Sequence, residues 1–346
     1  MLQTIDISTY IKKYTHIPIV DVRSPAEYLQ GHIPNSINIP LFSDDERTIV
    51  GTTYKKQSKE KAIEIGYQFV EPKLDSFSVE CAKEKSDDGI VIHCWRGGMR
   101  SQSFAEHLVK NGFKNVYLIQ GGYKTFRTLV LETFTQNYRL TVLGGYTGSG
   151  KTEILHELEK MGEQVIDLEK LANHKGSAFG GFDHIQQPTS EQFENNIFWK
   201  WKKLDLTKNI WIEDESRNIG NALLPADLYQ NIRSQKTIFI DIPRKERAMF
   251  LVEGYSHYSH TDLADAISRI TKKIGGLNSQ QALNALQNKN YHQVVELVLH
   301  YYDKRYLIGL QKRKAENVTK LELKSTHHQQ NAIQLIELIK DNARKN

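Results

Sequence analysis

The sequence predicts an α/β protein in two units, a doubly wound parallel sheet followed by a second α/β unit that a basic helical region closes. Three observations carry this reading. Short β-branched runs alternate with stretches of helical spacing up to about residue 243. A glycine-rich turn, "GYTGSGKT" (145–152), joins one such run to a helical stretch. Beyond 244 the pattern becomes mostly helical, polar and basic. The pattern breaks near 130–138, which gives units at 1–134 and 135–346. A chain of 346 residues is long for one core and comfortable for two.

In the first unit "IPIVDVR" (17–23) is a short β-rich run. "SPAEYLQGHIP" follows, with Ser24 suited to an N-cap and Pro25 to the first helical position. "GIVIHC" (89–94) is a second apolar run and ends on Cys94. "MRSQSFAEHLVKNG" (99–112) has helical spacing at Phe104, Leu108 and Val109, with Gly112 placed to end the helix. "NVYLIQGGYKTF" supplies a further strand and turn. The second unit opens on "YRLTVLGGYTGSGKTEILHELEKMG" (138–162), a strand, a glycine turn and a helix. "NIWIEDES" (209–216) and "KTIFIDIP" (236–243) are two more buried-strand candidates, both running into carboxylates. In such sheets sites gather at the carboxyl ends of strands. Cys94 lies at one.

Composition excludes several classes. At 39% hydrophobic and 25% charged the chain is neither disordered nor fibrous. No apolar run approaches the roughly 20 residues that span a bilayer, and "MLQTIDISTYIKKYTH" lacks a signal pattern, so the cytoplasm is expected. Cys81 and Cys94 are too few for a disulfide scaffold or a zinc cluster. The net charge of +5 is unevenly spread. Residues 244–346 hold 17 Lys/Arg against 10 Asp/Glu, a surplus of +7, with aromatics interleaved in "YYDKRYLIGLQKRK" (301–314). Tyr301, Tyr302, Lys304, Arg305, Lys312, Arg313 and Lys314 are the candidate contacts to a phosphate-rich partner such as RNA. A solvated helix face would carry the same charge.

"HCWRGGMRS" (93–101) places Trp95, Arg96, Gly97, Gly98 and Met99 between Cys94 and Arg100, with Ser101 next. A loop between a strand end and a helix start turns its amides inward, beside the positive end of the helix dipole. It can hold a tetrahedral oxyanion while the Cys94 sulfur faces it, with Arg100 and Arg96 as cations. The second loop has Gly145, Thr147, Gly148, Ser149, Gly150, Lys151 and Thr152 in the full P-loop pattern. Its glycines let the backbone wrap phosphates, Lys151 supplies a charge, and Thr152 reaches toward a metal. Glu213 and Asp214, after "IWI", are placed to hold a magnesium ion or to pair with nearby cations. No guanine-reading N-K-x-D run is present.

"VDVRSPAEYLQGHIPNSINIP" (20–40) and "YLIQGGYKTF" resemble the opening and closing signatures of the rhodanese family, over about residues 4–130. Asp21, Arg23 and His32 match that signature, and structural pinning of strand and turn is expected of them. Ordinary sulfurtransferase loops of this family have four residues between Cys and Arg. The five here suit a phosphate-sized group. With the P-loop, "KGSAFGGF" (175–182) and "WIEDESRNIG" (211–220), the chain resembles the bacterial tRNA 2-selenouridine synthases over nearly its whole length.

That resemblance implies a rhodanese-like domain followed by a P-loop NTPase-like domain. It also implies replacement of sulfur by selenium at C2 of wobble 2-thiouridine in tRNA. Geranyl diphosphate alkylates the sulfur; selenophosphate then supplies selenium as the S-geranyl group leaves. No tightly bound cofactor is implied; Mg2+ at the P-loop is compatible with it. The diphosphate is expected on the 145–152 loop and selenophosphate on the Cys94 loop, with Cys94 either taking selenium as a selenylsulfide or holding the donor. Aromatics in "SAFGGF" and "FWKW" (198–201) are candidates to shelter the geranyl chain. Two other readings remain open: a sulfurtransferase or cysteine phosphatase fused to an NTP-dependent kinase-like domain, and an RNA-binding adaptor.

Overall fold

The computed structural model describes residues 1–175, 186–255 and 258–345. They divide into two units, 1–133 with 194–196, and 134–193 with 197–346.

The first unit runs β1 (Leu2–Ile5), α1 (Ile7–Thr9), β2 (Ile19–Asp21), α2 (Pro25–Gln30), β3 (Ile37–Asn38), α3 (Asp44–Lys56), α4 (Lys59–Val70), α5 (Leu74–Glu84), β4 (Ile90–His93), α6 (Met99–Lys110), β5 (Val116–Ile119) and α7 (Gly122–Phe134). Its sheet is parallel, in the order β1-β5-β4-β2-β3. Strand β4 is central and buried at every residue, which is why it reads as a continuous apolar run. Val20, Val22, Ile90 and Ile92 pack there against Phe104 and Leu108 of α6, each worth about 1.5–3 kcal/mol on burial. Ser24 caps α2 in a reciprocal capping box with Glu27. Gly112, at φ 86°, takes the left-handed conformation just beyond α6. The helices α3–α5 fill a stretch for which the motifs predicted nothing.

The second unit runs β6 (Leu140–Gly145), α8 (Lys151–Lys160), β7 (Gln164–Ile166), α9 (Leu168–Leu171), α10 (Ser190–Trp201), β8 (Ile210–Glu213), β9 (Asn218–Ile219), β10 (Ala222–Leu223), α11 (Ala226–Ser234), β11 (Lys236–Asp241), α12 (Arg244–Tyr255), α13 (His260–Arg269), α14 (Thr271–Ile274), α15 (Gly276–Gln287), α16 (Tyr291–Leu310), β12 (Val318–Glu322) and α17 (His328–Lys345). The parallel sheet is ordered β12-β11-β6-β8-β7. The P-loop strand β6 therefore lies directly beside β8, the strand that delivers Glu213. Helices α12–α16 share a core of their own, with Leu263, Ile267, Leu286, Val294 and Val298 buried. The region beyond 244 is mostly helical as expected, with one exception. Strand β12 pairs with β11 and completes the sheet.

Candidate functional site

Strand β4 delivers Cys94 to the carboxyl edge of the first sheet, and α6 begins five residues later at Met99. The bend between them depends on glycine. Gly97 has φ 63°, and a Cβ there would lie 2.6 Å from the Ile119 carbonyl oxygen. A Cβ on Gly122 would lie 2.3 Å from the Cys94 oxygen. The turn at 120–122 thus packs directly under the loop. It is tied there by Tyr123 N–H to Cys94 O and Lys124 N–H to Trp95 O, both 2.9 Å. These bonds engage the loop's carbonyls from below. The amides of residues 95–98 donate to no protein acceptor among the described residues. Ser101 Oγ donates to Cys94 Sγ at 3.2 Å.

Charged groups organise the surroundings. Arg100 Nη1 donates to Glu27 Oε2 at 2.7 Å, and Arg47 Nε lies 3.4 Å from the same oxygen. Burial alone would raise the Glu27 carboxyl, but Arg100 and Arg47 outweigh it and hold it below its usual range. Arg96 is exposed, with no ion pair among the described residues. Trp95 and Met99 are exposed at the loop's mouth. Arg23 is buried, ion-paired to Asp21 at 2.6 Å, bonded to Gly31 O and stacked 3.9 Å over the Tyr123 ring. His32 stacks on Tyr28. These three residues hold strand and turn. Cys81 is fully buried in α5, where burial pushes its thiol up to about 12. Glu27 and the 120–122 turn were missing from the expected site, although both lie in the quoted signatures.

The second loop follows β6. Gly148 and Gly150 have φ 79° and 68°, the left-handed region that favours glycine. Lys151 Nζ lies 3.3 Å from Gly145 O, and Ser149 Oγ donates to Tyr146 O at 2.7 Å. Two residues from the helical region complete the cradle. Arg247 is buried, donates to Thr147 O at 2.9 Å, and makes a two-pronged pair with Asp303 of α16. The Tyr306 hydroxyl accepts from Gly145 N–H at 2.9 Å and donates to Asp214 at 3.0 Å.

The acidic pair divides. Asp214 is engaged by Arg313 at 2.5 Å and Arg233 at 3.3 Å as well as by Tyr306, so it pairs with cations and is not free to ligate a metal. Glu213 is fully buried and accepts from Glu169 N–H at 2.7 Å. Burial, then Glu169, pushes Glu213 far above its ordinary range. Burial and Glu215 push Glu169 to about 8, although Lys151 and Thr152 act the other way. Thr152 Oγ1 donates to Glu169 at 3.0 Å. Among the described residues, no three His, Cys, Asp or Glu side chains are grouped to hold a metal ion. For a magnesium ion arriving with phosphates the fitting donor here is the Thr152 hydroxyl, since Glu169 keeps its proton near neutral pH.

Of the expected RNA contacts, Lys304, Arg305, Lys312 and Lys314 are exposed. Arg313 is not. It is 6% exposed, and its guanidinium donates to Ile232 O, Arg233 O and Asp214. Tyr301 and Tyr302 pack edge to face, partly buried against the helical core. Arg305 and Lys312 line the same cleft of about 930 Å³ as the P-loop. Of the expected geranyl shelters, Phe198, Trp199 and Trp201 are buried core residues, at most 8% exposed. The aromatics of "SAFGGF" lie outside the described residues. No helix among those residues is long and apolar enough to cross a membrane.

Comparisons with known proteins cover both units. A family model described as the tRNA 2-selenouridine synthase AAA domain matches residues 138–334, and one for the rhodanese-like domain matches 7–129. A tRNA 2-selenouridine synthase of Nitrosomonas europaea is 32% identical, over 86% of this chain and 90% of its own. Another, of Nitrosomonas eutropha, is 33% identical over 86% and 89%. Among solved structures, the N-terminal domain of a putative ATP/GTP binding protein from Clostridium difficile 630 is 42% identical, covering 37% of this chain and 99% of its own with a TM-score of 0.35.

Proposed function

Because this chain belongs to the tRNA 2-selenouridine synthase family, we propose that it exchanges sulfur for selenium at C2 of wobble 2-thiouridine in two steps, one per loop. The observation that carries this is the pairing, in one chain, of an oxyanion-sized cysteine loop with a diphosphate-sized P-loop.

In the first step the 145–152 loop holds the diphosphate of geranyl diphosphate by its amides and Lys151. The thiocarbonyl sulfur attacks the allylic carbon, the C–O bond breaks, and diphosphate leaves. Stabilising charge that grows on the leaving group lowers the barrier. Protonated Glu169, beside Lys151, spares the loop a repelling carboxylate. Any magnesium that accompanies the diphosphate would be held by the Thr152 hydroxyl.

In the second step selenophosphate occupies the Cys94 loop. Redox balance indicates what the sulfur does. Selenium in selenophosphate is already at the selenide level, so a sulfur–selenium bond to Cys94 would require an oxidant. Attack of the Cys94 sulfur on phosphorus requires none. The S–P bond forms, the P–Se bond breaks, and the freed selenide adds to C2 as geranyl thiol departs with a proton. Water then releases phosphate from Cys94, with Ser101 placed to donate to the departing sulfur. Exposed Lys304, Arg305, Lys312 and Lys314 meet the tRNA backbone.

The test is mass spectrometry of nucleosides from 2-thiouridine tRNA incubated with purified protein. Geranyl diphosphate alone should give S-geranyl-2-thiouridine, and added selenophosphate should convert it to 2-selenouridine. Selenation without the geranylated intermediate, or only in the presence of ATP or GTP, would overturn the two-step scheme.

A further inference from the structure

The cysteine loop lines one side of a cleft of about 1430 Å³ within the first unit. Part of its wall is apolar. Phe42, Val50, Tyr54, Ile63, Tyr67 and Met99 line it, drawn from α3, α4, the segment before α3 and the start of α6. Tyr54 and Tyr67 are 60% exposed and Met99 is 50% exposed, so this is large side-chain surface left in water beside the reactive sulfur. Two helical glycines lie along the cleft, Gly51 of α3 and Gly66 of α4. A Cβ on Gly51 would meet Arg47 Nη1 at 2.5 Å, and one on Gly66 would touch the Phe42 ring at 3.4 Å. A glycine inside a helix costs about 1 kcal/mol relative to alanine. Neither position has the left-handed backbone that would otherwise call for glycine. Lys55, Lys59 and Lys110 also line the cleft among a smaller number of carboxylates, a surplus of positive charge that suits a substrate carrying phosphodiesters.

We propose that this cleft binds the geranyl chain of the S-geranylated tRNA intermediate, resting on the two-step reading above. The chain is attached to the same C2 that must meet selenium at Cys94, so it has to lie beside that loop during exchange. An apolar cleft continuous with Cys94 takes it up and holds the leaving thiol beside the selenide source. The core aromatics at 198–201 cannot do this. Free geranyl diphosphate offers the same chain, but its diphosphate belongs to the P-loop.

The experiment follows selenation of tRNA bearing S-methyl, S-dimethylallyl or S-geranyl 2-thiouridine, using the full-length protein, Val50→Trp and Ile63→Trp. For the parent, kcat/KM should rise along the series, by roughly 10- to 200-fold wherever an added carbon reaches an apolar wall of the cleft. The tryptophan variants should lose the preference for geranyl while still geranylating 2-thiouridine tRNA from geranyl diphosphate, which also reports a folded protein. A flat series in the parent, with S-geranyl tRNA converted, would overturn the cleft assignment and leave the two-step scheme standing. Loss of geranylation with retained chain-length preference would assign the cleft to geranyl diphosphate and overturn it too. Failure of the parent to convert S-geranyl tRNA at all would overturn both.

Discussion

Cys94 and Arg313 show how differently single residues are exposed to inference. Cys94→Ser should abolish selenation of geranylated tRNA and leave geranylation near the parent rate, since alkylation uses the substrate's own sulfur. Separate assays of the two half-reactions check this, and parent-rate selenation by the variant would remove the sulfur nucleophile from the scheme. The candidate role of Cys94 was legible because strand, loop and helix are contiguous in sequence. Arg313 was not legible: it sits in a run of three bases, and its partner Asp214 is 99 residues away. Reversing Lys312 and Lys314 together should weaken tRNA binding, most visibly at low salt, without lowering the melting temperature. Arg313→Ala should instead destabilise the fold by roughly 1.5–3 kcal/mol, because buried Asp214 loses its shortest ion pair and keeps only Arg233 and Tyr306. Urea denaturation beside a filter-binding titration separates the two. A tRNA defect in Arg313→Ala at unchanged stability would return that residue to the RNA surface.

At the scale of elements, what could be read depended on burial. Strands β4, β6, β8 and β11 are buried on both faces and announce themselves as apolar runs. Strand β12, "VTKLE", has no fully buried residue and carries no such signature, so its sequence blends into a region expected to be helical. The carboxylates at the P-loop were likewise half legible. Glu213 and Asp214 are adjacent in sequence, but only the fold brings Glu169 from α9 against Glu213 and Thr152. That crowding predicts a pH dependence. Folded Glu169, pushed to about 8 from 4.5, retains a proton that the unfolded chain has released. Between about pH 4.5 and 8 the native state therefore binds more protons, and stability from this group falls as pH rises. Glu169→Gln, which stays neutral, should flatten that decline in a series of thermal melts. A decline of equal slope in both proteins would mean Glu169 is ionised in the folded state. Geranylation should also weaken above about pH 8, as Glu169 becomes an anion beside the diphosphate.

At the scale of the whole molecule, the question is whether two phosphate-binding loops serve one reaction sequence or two unrelated activities. Lys151 decides it. In a nucleotide-driven enzyme this lysine would serve ATP or GTP, and its loss would stop every later step. In the scheme proposed here it serves a donor that already carries its leaving group, so no nucleotide is needed. Lys151→Ala removes a cation that would contact phosphate oxygens, a charge-assisted contact worth roughly 1.5–3 kcal/mol, or one to two orders of magnitude in rate or binding. Geranylation of 2-thiouridine tRNA should fall by about that factor. Supplied with tRNA that is already geranylated, the same variant should exchange sulfur for selenium at the parent rate, because that chemistry belongs to the first unit. Both assays are run without nucleotide. If the parent geranylates only when ATP or GTP is added, or if Lys151→Ala also loses the selenation step, the loops are not divided as proposed and the kinase-like reading of the second unit takes precedence.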